Sequence, residues 1–142
     1  MLISKELSVE QELAIRFSDT DAMGVVWHGN YVRFFEDGRE AFGEKFGLKY
    51  LDIYASGFFT PIVSLDVKYK SPIYYGDRVT LRTRFQNQRA AKMTFHYEII
   101  SIESGITCAT ATSVQVFVDA QHRRLELTNP QFYASWKTAV GL

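Results

Sequence analysis

One amphipathic helix followed almost entirely by strands is the feature that most restricts how this chain can fold. Tyr31, Phe34, Phe35, Gly38, Phe42 and Phe46 recur with a helical period on one face, and Arg33, Glu36, Asp37, Arg39, Glu40, Glu44 and Lys45 fill the other. Gly38 stands on the apolar face, where it lets another backbone come close at a helix cost of ~1 kcal/mol relative to Ala. Asn30 is the expected N-cap, with a start of the turn at His28 as the alternative, and Gly47 is the expected terminator. From Phe59 the period becomes two. Residues 62–69, 78–86, 92–102 and 106–118 are expected strands, after a first strand over 8–17 that ends with Leu13, Ile15 and Phe17 on one side. Val79, Leu81, Thr83 and Phe85 alternate with Arg78, Thr80, Arg82 and Arg84; Val114, Val116 and Val118 alternate with Gln115 and Phe117. A short helical turn within 48–57, a short strand at 125–127 and a last helix opened by Pro130 complete the pattern. One helix cannot flank such a sheet on both sides. The economical solution is an α+β domain, residues 1–142, in which a curved antiparallel sheet of five or six strands wraps around the long helix. It leaves an edge strand, and pairing with a second copy is the usual remedy.

Composition narrows the function classes. Lys and Arg number 16 and so do Asp and Glu, so there is no basic footprint for nucleic acid. The 11 Phe and 8 Tyr suit a large core, a subunit interface or an apolar pocket. Cys108 is the single cysteine, which excludes an internal disulfide and points to a reducing compartment. The start MLISKELSVEQEL has no continuous apolar stretch of the kind a signal peptide carries, and no run approaches a membrane span, so a cytoplasmic protein is expected. His28, His96 and His122 lack the spacing of metal ligands, and no metal or cofactor is expected.

The chemistry gathers just before the helix, in DTDAMGVVWHGNY, residues 19–31. Asp21 reads either as an Asx-turn residue or as a carboxylate presented to a substrate, and Asp19 as a support of the loop. His28 stands where a helix start offers N–H groups and partial positive charge. Cys108, inside a long strand, reads as a small buried hydrophobe.

These residues carry a resemblance. FSDTDAMGVVWHGNYVRFFEDGRE resembles the active-site segment of the 4-hydroxybenzoyl-CoA thioesterase family, the hot-dog-fold acyl-CoA thioesterases, with Asp19, Asp21, Gly24, Val26, His28, Asn30 and Tyr31 on its D-x-D-x-x-G-x-V and helix-start positions. TPIVSLDVKYKSPIYYGDRV, residues 60–79, looks like the next family block, where a strand leads into a Gly-Asp turn. The resemblance implies an acyl-CoA thioester hydrolase with Asp21 as nucleophile or general base. It implies that the backbone N–H at His28 polarises the thioester carbonyl, with the His28 side chain as a further catalytic group. His at 28, where some members carry Tyr, matches the short- and medium-chain branch and turns the expected substrate away from aromatic acyl groups.

It also implies substrate contacts from Asn30 and Tyr31, an acyl pocket lined by Thr60 and Ser64 of the neighbouring subunit, and coenzyme A phosphates held by Arg89 and Lys92. Coenzyme A is then part of the substrate, an acyl carrier protein thioester is the other carrier, and the protein is a homodimer or homotetramer. Two other readings share the fold: a non-catalytic acyl-thioester-binding module, and a dehydratase. The second typically carries a His-Phe-Pro-Gly stretch, where this chain has His28-Gly29-Asn30.

Overall fold

The computed structural model describes residues 6–142, so the first five residues of the segment considered above as a leader lie outside the described residues. The elements run β1 (Leu7–Ala14), α1 (Tyr31–Phe46), α2 (Tyr50–Ala55), β2 (Phe58–Phe59), β3 (Ile62–Tyr69), β4 (Arg78–Gln86), β5 (Lys92–Ser101), β6 (Thr107–Val116), β7 (Val118–Asp119) and α3 (Gln131–Ala139). Five strands form one antiparallel sheet in the order β1-β4-β5-β6-β3, and β2 and β7 form a small separate ribbon. This is the hot-dog fold: the sheet wraps around α1. Among the described residues no helix is long and apolar enough to cross a membrane.

Residues paired across a ladder share a face. Leu81 and Ile99 therefore sit side by side, as do Phe85 and Phe95, and all four are buried beneath α1. Phe34, Phe35 and Phe42 are at most 3 % exposed, and Phe42 packs against Phe85 and Phe95 at ring-centroid distances of 5.7 and 5.1 Å. Gly38 sits where the helix crosses closest to β4: a Cβ there would come within 2.2 Å of Thr83 Oγ1 and 3.0 Å of Leu81. Gly47 ends α1 in the left-handed region with φ 73°. α3 closes the far end, with Tyr133 and Trp136 buried and the Trp136 indole donating to the Phe46 carbonyl at 2.7 Å.

Four expectations need correction. The first strand stops at Ala14, because the Arg16 N–H binds the Asp19 carboxylate and turns the chain; Phe17 is left 77 % exposed. Asn30 stands at the N-cap position of α1 but its side chain makes no cap bond, because a 3-10 turn beginning at His28 already precedes the helix and the Asn30 amide binds the Asp19 carbonyl instead. Residues 125–127 make one bridge, Leu125 with Val118, in place of a strand. The long strand expected over 106–118 breaks after Val116, and β7 crosses to pair with β2. On β6 the inward side is Ala109, Ala111, Ser113 and Gln115, continued by Phe117; the valines face outward.

Candidate active site

The segment between β1 and α1 is a tight, self-bonded loop. Asp19 is fully buried; its carboxylate accepts from the Arg16 N–H at 2.8 Å and pairs with the Arg33 guanidinium. Burial by itself raises the carboxyl pKa, but the Arg33 bond, the Arg16 N–H and both guanidinium charges outweigh it and hold the group below its usual value. The Asp19 carbonyl accepts from Trp27 N–H at 2.9 Å and from the Asn30 amide at 2.7 Å. Asp19 thus fastens both sides of the loop to the helix start, as a support.

Asp21 opens the turn inside that frame. Its N–H donates to Val25 O at 2.8 Å, its carbonyl accepts from Gly24 N–H at 3.0 Å, and Gly24 takes φ 77° to close the turn. The Met23 N–H binds Asp21 Oδ1 at 2.8 Å, an Asx turn that leaves Oδ2 without a partner among the described residues. The turn is pinned to the body through Val26 N–H to Ile73 O, 2.7 Å, and a bridge between Val25 and Tyr74.

His28 begins the 3-10 turn that runs into α1, and no side chain caps it. The N–H groups of His28 and Gly29 have no intrahelical acceptor, as at any helix start. The Trp27 ring lies over Gly29, where a Cβ would be within 2.3 Å of it. Tyr69 donates its hydroxyl to the His28 carbonyl at 2.9 Å and meets the buried Tyr31 ring edge-on at 4.9 Å. Burial pushes the Tyr31 hydroxyl up to about 12, with smaller contributions from Cys108 and Tyr69. A hollow of about 300 Å³ opens here, lined by Val25, Val26, His28, Tyr31, Tyr69 and neighbouring residues of the 70–72 turn. Asp21 is not part of its lining.

The remaining expected contacts lie elsewhere. Thr60 is buried and lines a second, more enclosed and mainly apolar cavity, also about 300 Å³, between α1, α2 and the start of β3. Glu36, Arg39, Phe42, Ile53, Met93 and Gln115 are among its other walls. Ser64 pairs with Val114, beyond a bulge at Val63, and so lies on the outer face of the sheet, away from this cavity. Arg89 and Lys92 are exposed at the β4–β5 hairpin, whose backbone is held by Asn129 and Lys137. Thr60, Arg89 and Lys92 therefore share one end of the sheet, while His28, Tyr31 and Tyr69 hold the other. The eight residues of β3 between them span roughly 26 Å at ~3.3 Å each.

Sequence reasoning passed over Tyr69, Arg39 and Gln115. Only Gln115 left a signal, as a polar side chain in a strand of valines. Cys108 is buried, as expected of a core residue. Among the described residues no group of three His, Cys, Asp or Glu side chains could hold a metal ion.

Comparison with known proteins gives a consistent family. A family model described as the thioesterase-like superfamily matches residues 15–136. A Bacillus subtilis (strain 168) protein with the name "Putative acyl-CoA thioesterase YneP" is 29% identical over 130 residues, covering 92% of this chain and 93% of that one. A 1,4-dihydroxy-2-naphthoyl-CoA hydrolase of Thermosynechococcus vestitus is 26% identical, covering 85% of this chain and 84% of its own. The solved DHNA-CoA thioesterase from Staphylococcus aureus superposes with a TM-score of 0.82 at 27% identity, over 94% of this chain and 88% of the other.

Proposed function

The chain belongs to the thioesterase-like superfamily and is a thioesterase, and from that premise we propose that it hydrolyses acyl-CoA to the free acid and coenzyme A with Asp21 as the reacting carboxylate. Asp21 either attacks the thioester carbonyl carbon itself, expelling the coenzyme A thiolate and leaving a mixed anhydride that water then hydrolyses, or takes the proton of a water that attacks directly and expels the thiolate; both routes end in acid and thiol. The backbone N–H groups at His28 and Gly29 receive the developing oxyanion, and the His28 side chain stands beside the departing thiolate. The observation that carries this reading is the pairing of a carboxylate fixed by an Asx turn with an uncapped helix start seven residues on.

The site is completed by a second copy of the chain. β3 is an edge strand whose flank exposes Ile62, Val63 and Tyr69, with Leu65 and Val67 half-buried. The other edge, β1, carries Glu10 and Glu12 and has its Ser8 carbonyl taken by Lys45. Antiparallel pairing of β3 with its two-fold copy sets the Tyr69 end of one protomer against the Ile62 end of the other. The Asp21–His28 segment then faces the partner's apolar cavity at Thr60, which takes the acyl group. Exposed Arg89 and Lys92, at that same end, meet the coenzyme A phosphates. Asn30 acts by holding the loop and Tyr31 by walling the hollow, while Ser64 lies on the outer face in both copies. The dimer is the active unit, alone or doubled into a tetramer.

Thiol release from an acyl-CoA panel tests the assignment. Asn keeps an oxygen for the Met23 N–H, so Asp21→Asn leaves the turn intact, and a loss of about 10²–10⁴-fold is expected. Undiminished hydrolysis by the folded Asn variant sinks the assignment.

A further inference from the structure

The helix start at His28 is held peptide by peptide, and one of its bonds comes from outside the loop. The Trp27–His28 peptide is fixed by the turn itself, because the Trp27 carbonyl accepts from the Asn30 N–H at 2.9 Å. The Trp27 N–H and the Asn30 amide are both tied to the Asp19 carbonyl, at 2.9 and 2.7 Å. The next peptide, His28–Gly29, is held differently. The Trp27 ring fills the place that a Cβ at residue 29 would take, so only glycine fits there. Glycine adopts positive φ about as readily as negative, and this peptide can therefore turn end over end far more cheaply than its neighbours. Among the described residues one side chain bonds it: the Tyr69 hydroxyl, which donates to the His28 carbonyl at 2.9 Å. Tyr69 is itself firmly placed. It pairs with Ala109 in the ladder between β3 and β6, and its ring meets Tyr31 edge-on at 4.9 Å and the His28 ring at 6.4 Å.

We propose that Tyr69 is a positioning residue for thioester hydrolysis: its hydroxyl holds the His28–Gly29 peptide in the orientation that presents the Gly29 N–H to the developing oxyanion. A trans peptide is planar, and its C=O and N–H point in opposite directions. Fixing the carbonyl at one end therefore aims the N–H at the other. Of the two donors assigned to the oxyanion, the His28 N–H is aimed by the turn and the Gly29 N–H by Tyr69. Such donors act because they are oriented before the charge develops. Without the hydroxyl the Gly29 N–H is still there, but the peptide also samples the reversed orientation, in which a carbonyl oxygen faces the oxyanion and repels it. The inference rests on the thioesterase reading above, but it fails separately from it.

The test removes the hydroxyl alone. Tyr69→Phe keeps the ring against Tyr31 and His28 and deletes only the bond to the His28 carbonyl. Thiol release from hexanoyl-CoA or benzoyl-CoA, whichever the wild type hydrolyses faster, is expected to show kcat lower by about five- to tenfold, the scale of one neutral hydrogen bond. KM should stay within about twofold, because the lost interaction belongs to the transition state. A second readout is the infrared stretch of the ¹³C-labelled thioester carbonyl of the same acyl-CoA bound to Asp21→Asn. Adding Tyr69→Phe to that protein should reduce the downward shift of the stretch on binding, which a merely structural role of Tyr69 would not alter. Wild-type kcat in Tyr69→Phe, or an unchanged carbonyl shift, overturns the inference and leaves the thioesterase reading standing. A loss of kcat that follows a fall in sedimenting mass assigns the hydroxyl to the subunit interface and also overturns it. Absence of acyl-CoA hydrolysis by the wild type strikes the thioesterase reading, and this inference with it.

Discussion

Replacing Asp19 with Asn asks how much of the loop's rigidity comes from one buried charge. The carboxylate, its side chain 1 % exposed, pairs with Arg33 and accepts from the Arg16 N–H. An amide keeps one acceptor and turns an NH₂ group toward the other donor. Hydrogen bonds to a charged group contribute about 1.5–3 kcal/mol each, and breaking a fully buried ion pair costs about 3–5 kcal/mol. Arg33 is 42 % exposed, so water recovers part of that, and a net loss of about 2–3 kcal/mol is expected at neutral pH. Urea unfolding at fixed protomer concentration measures it. The sign of the pH dependence follows from the depressed carboxyl pKa. The stabilisation is whole above the ordinary Asp value near ~3.9 and disappears as pH falls through the lower folded value. Wild type and Asp19→Asn should therefore converge in acid. A gap below about 0.5 kcal/mol at pH 7, or one of full size near pH 2, refutes the argument.

Two further outcomes bear on packing and assembly. Gly38→Ala should destabilise by about 1–2 kcal/mol in the same assay, because the clash with buried Thr83 outweighs the ~1 kcal/mol gain in helix propensity; a stabilised variant would contradict the close approach of α1 to β4. Val63→Lys places a charge on the exposed β3 edge and should halve the mass seen by sedimentation, with unchanged far-UV circular dichroism. Thioesterase activity should fall with the mass, and a monomer with full activity would rule out the shared site.

Much of the fold was legible locally. The Phe face of α1 and the alternating strands β3, β4 and β5 follow from side-chain periodicity, and Gly38 marked a close approach to α1, which in the fold is made by the Thr83 and Leu81 side chains of β4. The Asp21–His28 segment was legible as well, since an Asx turn and a helix start are short-range structures. Periodicity, however, divides a strand into two faces without saying which is inside. On β6 the valines look like the core, yet Ser113 and Gln115 face α1, because the register with β5 places them beside Phe95 and Met93. The break after Val116 was equally hidden, since it depends on β2 arriving from sixty residues away to pair with β7. The resemblance set Thr60 and Ser64 of a neighbouring subunit beside His28; within one chain the sheet sets Thr60 and His28 at opposite ends of β3, and it turns Ser64 to its outer face. What the chain determines by itself are the groups that neighbours in sequence can hold: the turn, the carboxylate, the helix start. Which distant groups share a cavity, and that Gln115 faces inward to meet Thr60, was decided by strand register, because only tertiary pairing settles which way each side chain faces.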